Sequence, residues 1–134
     1  MRNPDTTPRF TFEQEGRAAL RIPRPIDIVQ VQTTATTVFT ARSDADFQIE
    51  HLVASNVTGS ADYVTVYLVP DGGTAGATNL AISQKVVPAN DWVTIFDREA
   101  MGLLQPGMFI QCLCGVNDAV NVWGYGYDYQ GIYS

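Results

Sequence analysis

From residue 28 onward, apolar and polar residues alternate along short segments of the chain. In residues 63–69, for example, Val64, Val66 and Leu68 share one face if the segment is extended. Because successive side chains of a strand point to opposite faces, a repeat of two residues predicts half-buried β-strands and not amphipathic helices. We therefore expect an all-β protein, with less than about a tenth of its residues in helices.

Turn residues divide this part of the chain into eight or nine short strands. Residues 70–73, Pro-Asp-Gly-Gly, form the strongest turn signal, since proline and glycine favour the backbone conformations of turns. The predicted strands cover residues 28–32, 36–40, 47–55, 63–69, 80–87, 92–96, 108–114 and 119–127. Short strands at this regular spacing are typical of a β-sandwich or barrel.

The first 27 residues differ from the rest, and we interpret them as an extended N-terminal arm before a β-sandwich domain of residues 28–134. Four of the seven prolines lie in this arm. Pro23 and Pro25 favour an extended backbone, because proline and the residue before it avoid the helical conformation.

The N-terminal arm also carries apolar side chains, which a solvated disordered tail usually lacks. An extended arm can be such a tail or a segment that docks on a neighbouring protein, and the apolar content favours docking. The arm residues expected to contact a partner are Phe10, Phe12, Ile22 and Ile26. Deleting residues 1–26 is then expected to leave the domain folded but to weaken its assembly.

Charge and hydrophobicity exclude several classes of function. Charged residues make up 16% of the chain, below the roughly 25% of an average domain, which suits a surface covered by neighbours. Five arginines face four acids in residues 1–27, whereas three bases face ten acids in residues 28–134. An acidic body disfavours nucleic acid, and no apolar run reaches 18 residues, so we expect no membrane span.

The two cysteines and the single histidine do not form a recognisable reactive or metal-binding motif. Cys112 and Cys114 are two residues apart in a predicted strand, too far apart for a disulfide between them, and we expect two buried, reduced thiols. His51 shares one face of a predicted strand with Phe47 and Ile49, which favours a core or interface position over catalysis. We expect no catalytic residues, no metal site, no cofactor and no enzymatic activity.

Acidic residues form two groups in the sequence. Asp44, Asp46 and Glu50 make the first, and Asp97 and Glu99 make the second. Paired carboxylates can hydrolyse glycosidic bonds. Because these groups flank predicted strand ends, we interpret them as solvated charges.

The C-terminal segment is rich in aromatic residues at alternate positions. The rings that share one face of the predicted strand belong to Trp123, Tyr125, Tyr127 and Tyr129. Gly124 and Gly126 occupy the other face, where a second backbone could approach closely. Such rings can contact another protein, close the core or stack on sugars.

Among these alternatives we expect Trp123, Tyr125 and Tyr127 to contribute to a protein–protein contact. The rings form a stripe and not a pocket. The neighbouring sequence offers few side chains that could hydrogen-bond sugar hydroxyls, apart from Asn121 and Asp128.

Two stretches of the chain resemble small virion proteins of tailed bacteriophages. They are residues 56–60, NVTGS, and residues 64–76, VTVYLVPDGGTAG. The likeness continues through residues 86–90 and 104–107 to residues 120–122, and so covers roughly residues 47–123. In size and strand pattern the chain is similar to the capsid cement (decoration) proteins of podophages.

This resemblance implies a jelly-roll-like β-sandwich of about eight strands and a structural role at the capsid surface of a virion. The implied partner is the major capsid protein or another virion protein, and the protein would bind across neighbouring capsid subunits and stabilise the head. Self-association as a homodimer or other homo-oligomer is also expected. With no secretory signal evident at Met1, we expect synthesis in the host cytoplasm. The resemblance assigns no role to individual residues.

Three other functions remain open at this point. The first is a head–tail or tail component of the virion. The second, from another class, is a carbohydrate-binding module that uses the C-terminal aromatic rings. The third is a glycosidase that uses the carboxylates.

Overall fold

The computed structural model describes residues 20–100 and 102–130. These residues form nine strands and two three-residue 3-10 turns, at Ala77–Asn79 and Arg98–Ala100, and the described part of the chain contains no α-helix. The strands are β1 (Leu20–Val31), β2 (Thr36–Thr40), β3 (Asp46–Asn56), β4 (Asp62–Val69), β5 (Leu80–Val87), β6 (Trp92–Asp97), β7 (Leu103–Leu104), β8 (Phe109–Cys114) and β9 (Val120–Gln130). The all-β prediction is confirmed.

The strands form two antiparallel sheets. Sheet A has the order β1-β9-β3-β6, and the short β7 pairs with β3 beside β6. Sheet B has the order β2-β8-β4-β5. Eight strands that alternate between two four-stranded layers in this order form a jelly roll, as the resemblance implied.

The first strand begins earlier than the sequence predicted. β1 starts at Leu20 and pairs with β9 from Leu20 and Gln130 to Val31 and Val120. Proline is tolerated here because β1 is an edge strand. A backbone nitrogen that points away from β9 has no hydrogen-bond partner in the sheet, so the missing N–H group of proline costs nothing there. Residues 20–27 therefore belong to the first strand of the sandwich. The predicted arm stays a prediction for residues 1–19, which lie outside the described residues.

The core lies between the two sheets and is built from the inward faces of the strands. The largest fully buried side chains include Phe47, Ile49, Leu52, Leu104 and Ile110. Cys112 and Cys114 are also buried, and both are free thiols, as predicted. Burial in this apolar layer raises the pKa of the Cys112 thiol well above its ordinary value.

Candidate functional site

The aromatic residues of β9 lie on the outer face of sheet A. They alternate with Val122, Gly126 and Asp128, which are buried between the sheets. Trp123, Tyr125, Tyr127 and Tyr129 remain half-buried or exposed, and Tyr125 is the most open of the four at 44% exposure.

A β-bulge in β3 brings the only histidine to the same outer face. The pairing of β3 with β9 shifts register between Ile49 and His51. Ile49 is therefore buried in the core, whereas His51 pairs with Tyr125 and is half-buried. Regular alternation in the sequence predicted one face for both residues. The bulge reverses the alternation, and nothing in the sequence pattern marks its position.

The glycines of β9 serve packing within the chain. A Cβ atom at Gly124 would overlap the carbonyl oxygen of His51, and one at Gly126 would overlap the carbonyl oxygen of Gln48 and the ring of Phe47. The close backbone approach expected at these positions therefore comes from β3 of the same sheet, and not from a second protein.

Charged side chains from other strands surround the rings of β9. On one side, Oε2 of Glu50 on β3 lies 3.5 Å from Nε of Arg98. Asp97, at the end of β6, lies opposite His51 in the register of β6 with β3. On the opposite side, the guanidinium carbon of Arg21 on β1 lies 3.8 Å from the centroid of the Tyr127 ring, a cation–π contact.

Two shallow clefts lie among these residues. The first has a volume of about 310 Å³ and is lined by Glu50, His51, Asp97, Arg98, Glu99 and Tyr125. The second has a volume of about 300 Å³ and is lined by Arg21, Gln48, Glu50, Arg98 and Tyr129. Since Glu50 and Arg98 line both, the clefts are neighbours, and we refer to them together as the aromatic groove.

The other half of the outer face is apolar. Asp27 and Ile28, in a bulge of β1, lie opposite Trp123, which pairs with Val53 of β3. On β6, Trp92 pairs with Ser55, two residues beyond Val53. Ile28 and Trp92 are 65% and 59% exposed. Val53 itself is buried, and we refer to Ile28, Trp92 and Trp123 as the apolar patch.

The structure separates the residues expected to form one interface. Trp123 belongs to the apolar patch, whereas Tyr125 lines the aromatic groove and Tyr127 stacks beneath Arg21 at its side. Ile26 is 2% exposed and packs in the core, so the expectation that it contacts a partner is corrected. Ile22 is half-buried on the same side of β1. Phe10 and Phe12 lie outside the described residues.

In the described part of the chain, the edge strands β1, β2, β5 and β6 carry features that oppose pairing with another chain. β1 contains Pro23 and Pro25, and β5 is bulged at Gln84, whose φ is +49°. β2 and β6 have only five and six residues. Prolines, bulges and short length protect sheet edges from strand addition, so the faces of the sandwich are better suited to contacts than its edges.

The candidate metal and catalytic residues do not meet in the described part of the chain. Cys112 and Cys114 are buried between the sheets, whereas His51 faces outward from sheet A. Within residues 20–100 and 102–130, no group of three or more His, Cys, Asp or Glu side chains could hold a metal ion. Nor does any helix of these residues have the length and hydropathy to cross a membrane.

The pairing of β3 with β6 rearranges the acidic residues into a group that the sequence did not predict. Glu50 lies with Asp97 and Glu99 in the first cleft, while Asp44 is ion-paired with Arg42 in the loop before β3. The sequence indicated this group only indirectly, through charged residues near the middle and end of apolar strands. An outer sheet face carries its charged residues at such positions.

Comparisons with known proteins identify the fold. No protein-family model matches the chain, and no curated protein sequence matches it significantly. Among solved structures, the chain is similar to one from Bacillus endospore appendages, a family of disulfide-linked pili, with 14% identity and a TM-score of 0.50. That alignment covers 92% of this chain and 98% of the appendage chain.

Two viral structures share a more distant likeness. One is infectious bursal disease virus, Gx strain, with 13% identity, a TM-score of 0.38, and coverage of 95% of this chain and 42% of the viral chain. The other is the VP2 subviral particle of infectious bursal disease virus, with 16% identity, a TM-score of 0.29, and coverage of 91% and 36%. At 14% identity and a TM-score of 0.50, the appendage structure indicates a shared β fold alone.

Proposed function

We propose that this protein is a structural component of a tailed-phage virion, a capsid cement protein that binds across neighbouring capsid subunits and stabilises the head. The observation that carries the proposal is the apolar patch. Ile28 and Trp92 are large apolar side chains that the single chain leaves mostly exposed. Exposed apolar surface beside half-buried tryptophan is typical of a protein contact, and tryptophan is among the residues that contribute most to binding.

The resemblance to phage cement proteins and the form of the sheet edges support the same proposal. Because the edges oppose strand addition, attachment through a sheet face is favoured. A specific contact needs an interface of more than about 1,000 Å², which is larger than three side chains provide. We propose that Phe10 and Phe12 of the N-terminal arm supply the additional contact.

The appendage chain that shares the fold forms pili, and an assembling role for this protein is consistent with that. Such a cement protein would add buried surface at capsomer junctions, which otherwise separate under the pressure of packaged DNA. Self-association into a homodimer or other homo-oligomer is part of the proposal.

The test is the location of the protein in particles produced by the genome that encodes it. Quantitative mass spectrometry should find the protein in purified particles at a copy number comparable with that of the capsid subunit. Electron microscopy should place it on the head at capsomer junctions. A small copy number at the neck or tail would favour the head–tail or tail component instead, and absence from the particles would reject a virion role.

A pair of variants tests the attachment surface. Trp92→Ala should weaken binding to particles that lack the protein by about thirtyfold, since truncation of a central tryptophan costs about 2 kcal/mol or more. Val86→Ala is the matched control, because Val86 is 60% exposed but lies on β5 of sheet B. Equal binding by both variants would exclude the apolar patch from the contact.

A further inference from the structure

We propose that the aromatic groove is a binding site for a neutral oligosaccharide. The groove occupies the other half of the outer face from the apolar patch. The inference therefore does not depend on the proposed attachment to a capsid, and each can fail without the other.

The ring of Tyr125 is held in place from two sides and remains open to solvent. Its centroid lies 6.4 Å from that of His51, with the ring planes 24° apart, and 6.3 Å from that of Tyr127, with the planes 80° apart. Tyr125 is still 44% exposed. A supported, exposed aromatic ring offers the flat apolar surface on which the C–H face of a pyranose packs.

Around this ring the groove offers hydrogen-bond donors and acceptors together. Arg98 and Arg21 present guanidinium donors, whereas Glu50, Asp97 and Glu99 present carboxylate acceptors. A sugar hydroxyl both donates and accepts hydrogen bonds, and a pair of neighbouring hydroxyls can bridge a planar guanidinium or carboxylate. The mixture of charges therefore matches a polyhydroxylated ligand.

One of the carboxylates is oriented by the backbone that follows it. Asp97 Oδ1 accepts hydrogen bonds from the amides of Glu99 and Ala100, at 3.0 and 3.1 Å. These bonds hold the Asp97 side chain at the end of β6. A pre-oriented acceptor binds its ligand with less loss of conformational entropy than a free surface carboxylate does.

The same charges make the groove a poor centre for a protein–protein contact. Asp97 and Glu99 are exposed and would both lose water under a protein surface, and carboxylates are depleted in the cores of protein interfaces. Desolvating them without matched partners is unfavourable. Sugar hydroxyls would replace the lost water directly, which favours an oligosaccharide over a protein in this half of the face.

The size and charge of the groove define the ligand further. The two clefts, of about 310 and 300 Å³, each lie at the lower end of the roughly 300–1,000 Å³ typical of small-molecule sites. Two adjoining subsites fit a ligand of at least two sugar residues. Because two arginines face three carboxylates, and the whole protein carries a net charge of −6, a neutral glycan is favoured over a sulfated or uronic-acid polymer.

This role for Tyr125 differs from the protein contact that the sequence suggested. Along the chain, few polar side chains lie next to the rings, which favoured a protein contact. The fold supplies those side chains from β1, β3 and the end of β6 instead.

The experiment uses the full chain and defined oligosaccharide probes. Saturation-transfer NMR should detect binding of at least one neutral probe from cellotetraose, maltotetraose and chitotetraose, and weaker or no binding of a heparin tetrasaccharide. A glycan array then extends the neutral set. Failure of the wild-type protein to bind any neutral probe in both measurements would overturn the proposal, as would a clear preference for the heparin probe.

Three variants assign the site. Tyr125→Ala and Arg98→Ala should each weaken binding of the neutral probe by about tenfold or more, whereas Trp92→Ala, in the apolar patch, should leave it unchanged. Arg98 has a side chain that is 74% exposed, so its variant decides the question even if Tyr125→Ala unfolds. Unchanged binding by Arg98→Ala and by folded Tyr125→Ala would overturn the assignment. So would loss of particle attachment in Tyr125→Ala when the wild-type protein binds no sugar, since that result indicates a protein contact.

Discussion

The ring of Phe47 on β3 occupies the space that a side chain at Gly126 on β9 would need. A Cβ atom at position 126 would overlap both this ring and the carbonyl oxygen of Gln48. Phe47 is among the largest fully buried side chains of the protein. The absence of a side chain at Gly126 therefore allows the core beneath the candidate site to close.

The first prediction follows from this contact. Gly126→Ala should lower the free energy of unfolding by about 1–3 kcal/mol, because a methyl group in a packed core forces its neighbours to move. Gly59→Ala is the matched control, since a Cβ atom there has no neighbour within 4 Å. Urea denaturation should show a shift for Gly126→Ala alone. Equal stability of the two variants would show that the core adapts freely at this position.

The second prediction concerns an ion pair between β1 and β9, two neighbouring strands of sheet A. Arg24 Nε lies 2.9 Å from Asp128 Oδ2, and the Arg24 guanidinium lies 4.8 Å from the centroid of Phe39. Asp128 is almost fully buried. Asp128→Ala should therefore destabilise the protein by about 1–3 kcal/mol, because it leaves a partly buried arginine without its partner.

An exposed ion pair provides the comparison for Asp128. Arg42 and Asp44 form two hydrogen bonds, of 2.8 and 3.0 Å, but both side chains are solvated. Asp44→Ala should change stability by less than about 1 kcal/mol, as is usual for surface pairs. A larger effect for Asp44→Ala than for Asp128→Ala in chemical denaturation would contradict this assignment.

The third prediction concerns the two thiols. Burial raises the pKa of Cys112. Burial also raises the pKa of Cys114, and the nearby Asp62 carboxylate raises it further. A thiol reagent at pH 8 should therefore react slowly with the native protein and should find two free groups per chain after denaturation. Fast native reaction, or fewer than two groups in the unreduced denatured protein, would contradict it.

The same thiols predict how stability changes with pH. In the unfolded chain they ionise near their ordinary pKa of 9.0, whereas in the folded protein they stay protonated to higher pH. Unfolding then releases protons, so stability should fall as pH rises above about 9. A double Cys112→Ala and Cys114→Ala variant should lose this part of the pH dependence, whatever its stability at neutral pH.

The sequence predicted most strands because their inward faces are regular. Val64 and Val66 of β4, for instance, alternate with less apolar residues and are fully buried. The early start of β1 was missed because Pro23 and Pro25 suggest an arm. On an edge strand, however, proline replaces only a group that has no partner in the sheet.

The candidate site could be predicted only in part. The rings of β9 were identified, because they lie close together in the sequence. Their polar surroundings were not, because Arg21, Glu50 and Arg98 reach the groove from three other segments of the chain. Alternation determines which face a residue takes but not which strands are neighbours, so a jelly-roll order has to be known before such a group can be assembled.

The last prediction concerns the N-terminal segment, and the structure changes how it must be tested. Removing residues 1–26 would delete the first seven residues of β1, including Ile26, which is 2% exposed, and Arg24, the partner of Asp128. It would also leave part of β9 without its neighbour in the sheet. We therefore expect this truncation to destabilise the protein by more than about 3 kcal/mol, because it removes a core side chain and an ion pair together.

Removing residues 1–19 keeps all of β1 and should leave the melting temperature unchanged, while weakening attachment to particles because Phe10 and Phe12 are lost. Thermal unfolding of both truncations, followed by particle binding of the folded one, separates the two roles. If the shorter truncation binds particles normally, the arm is not an attachment element, and if the longer truncation is equally stable, residues 20–26 contribute nothing to the sandwich.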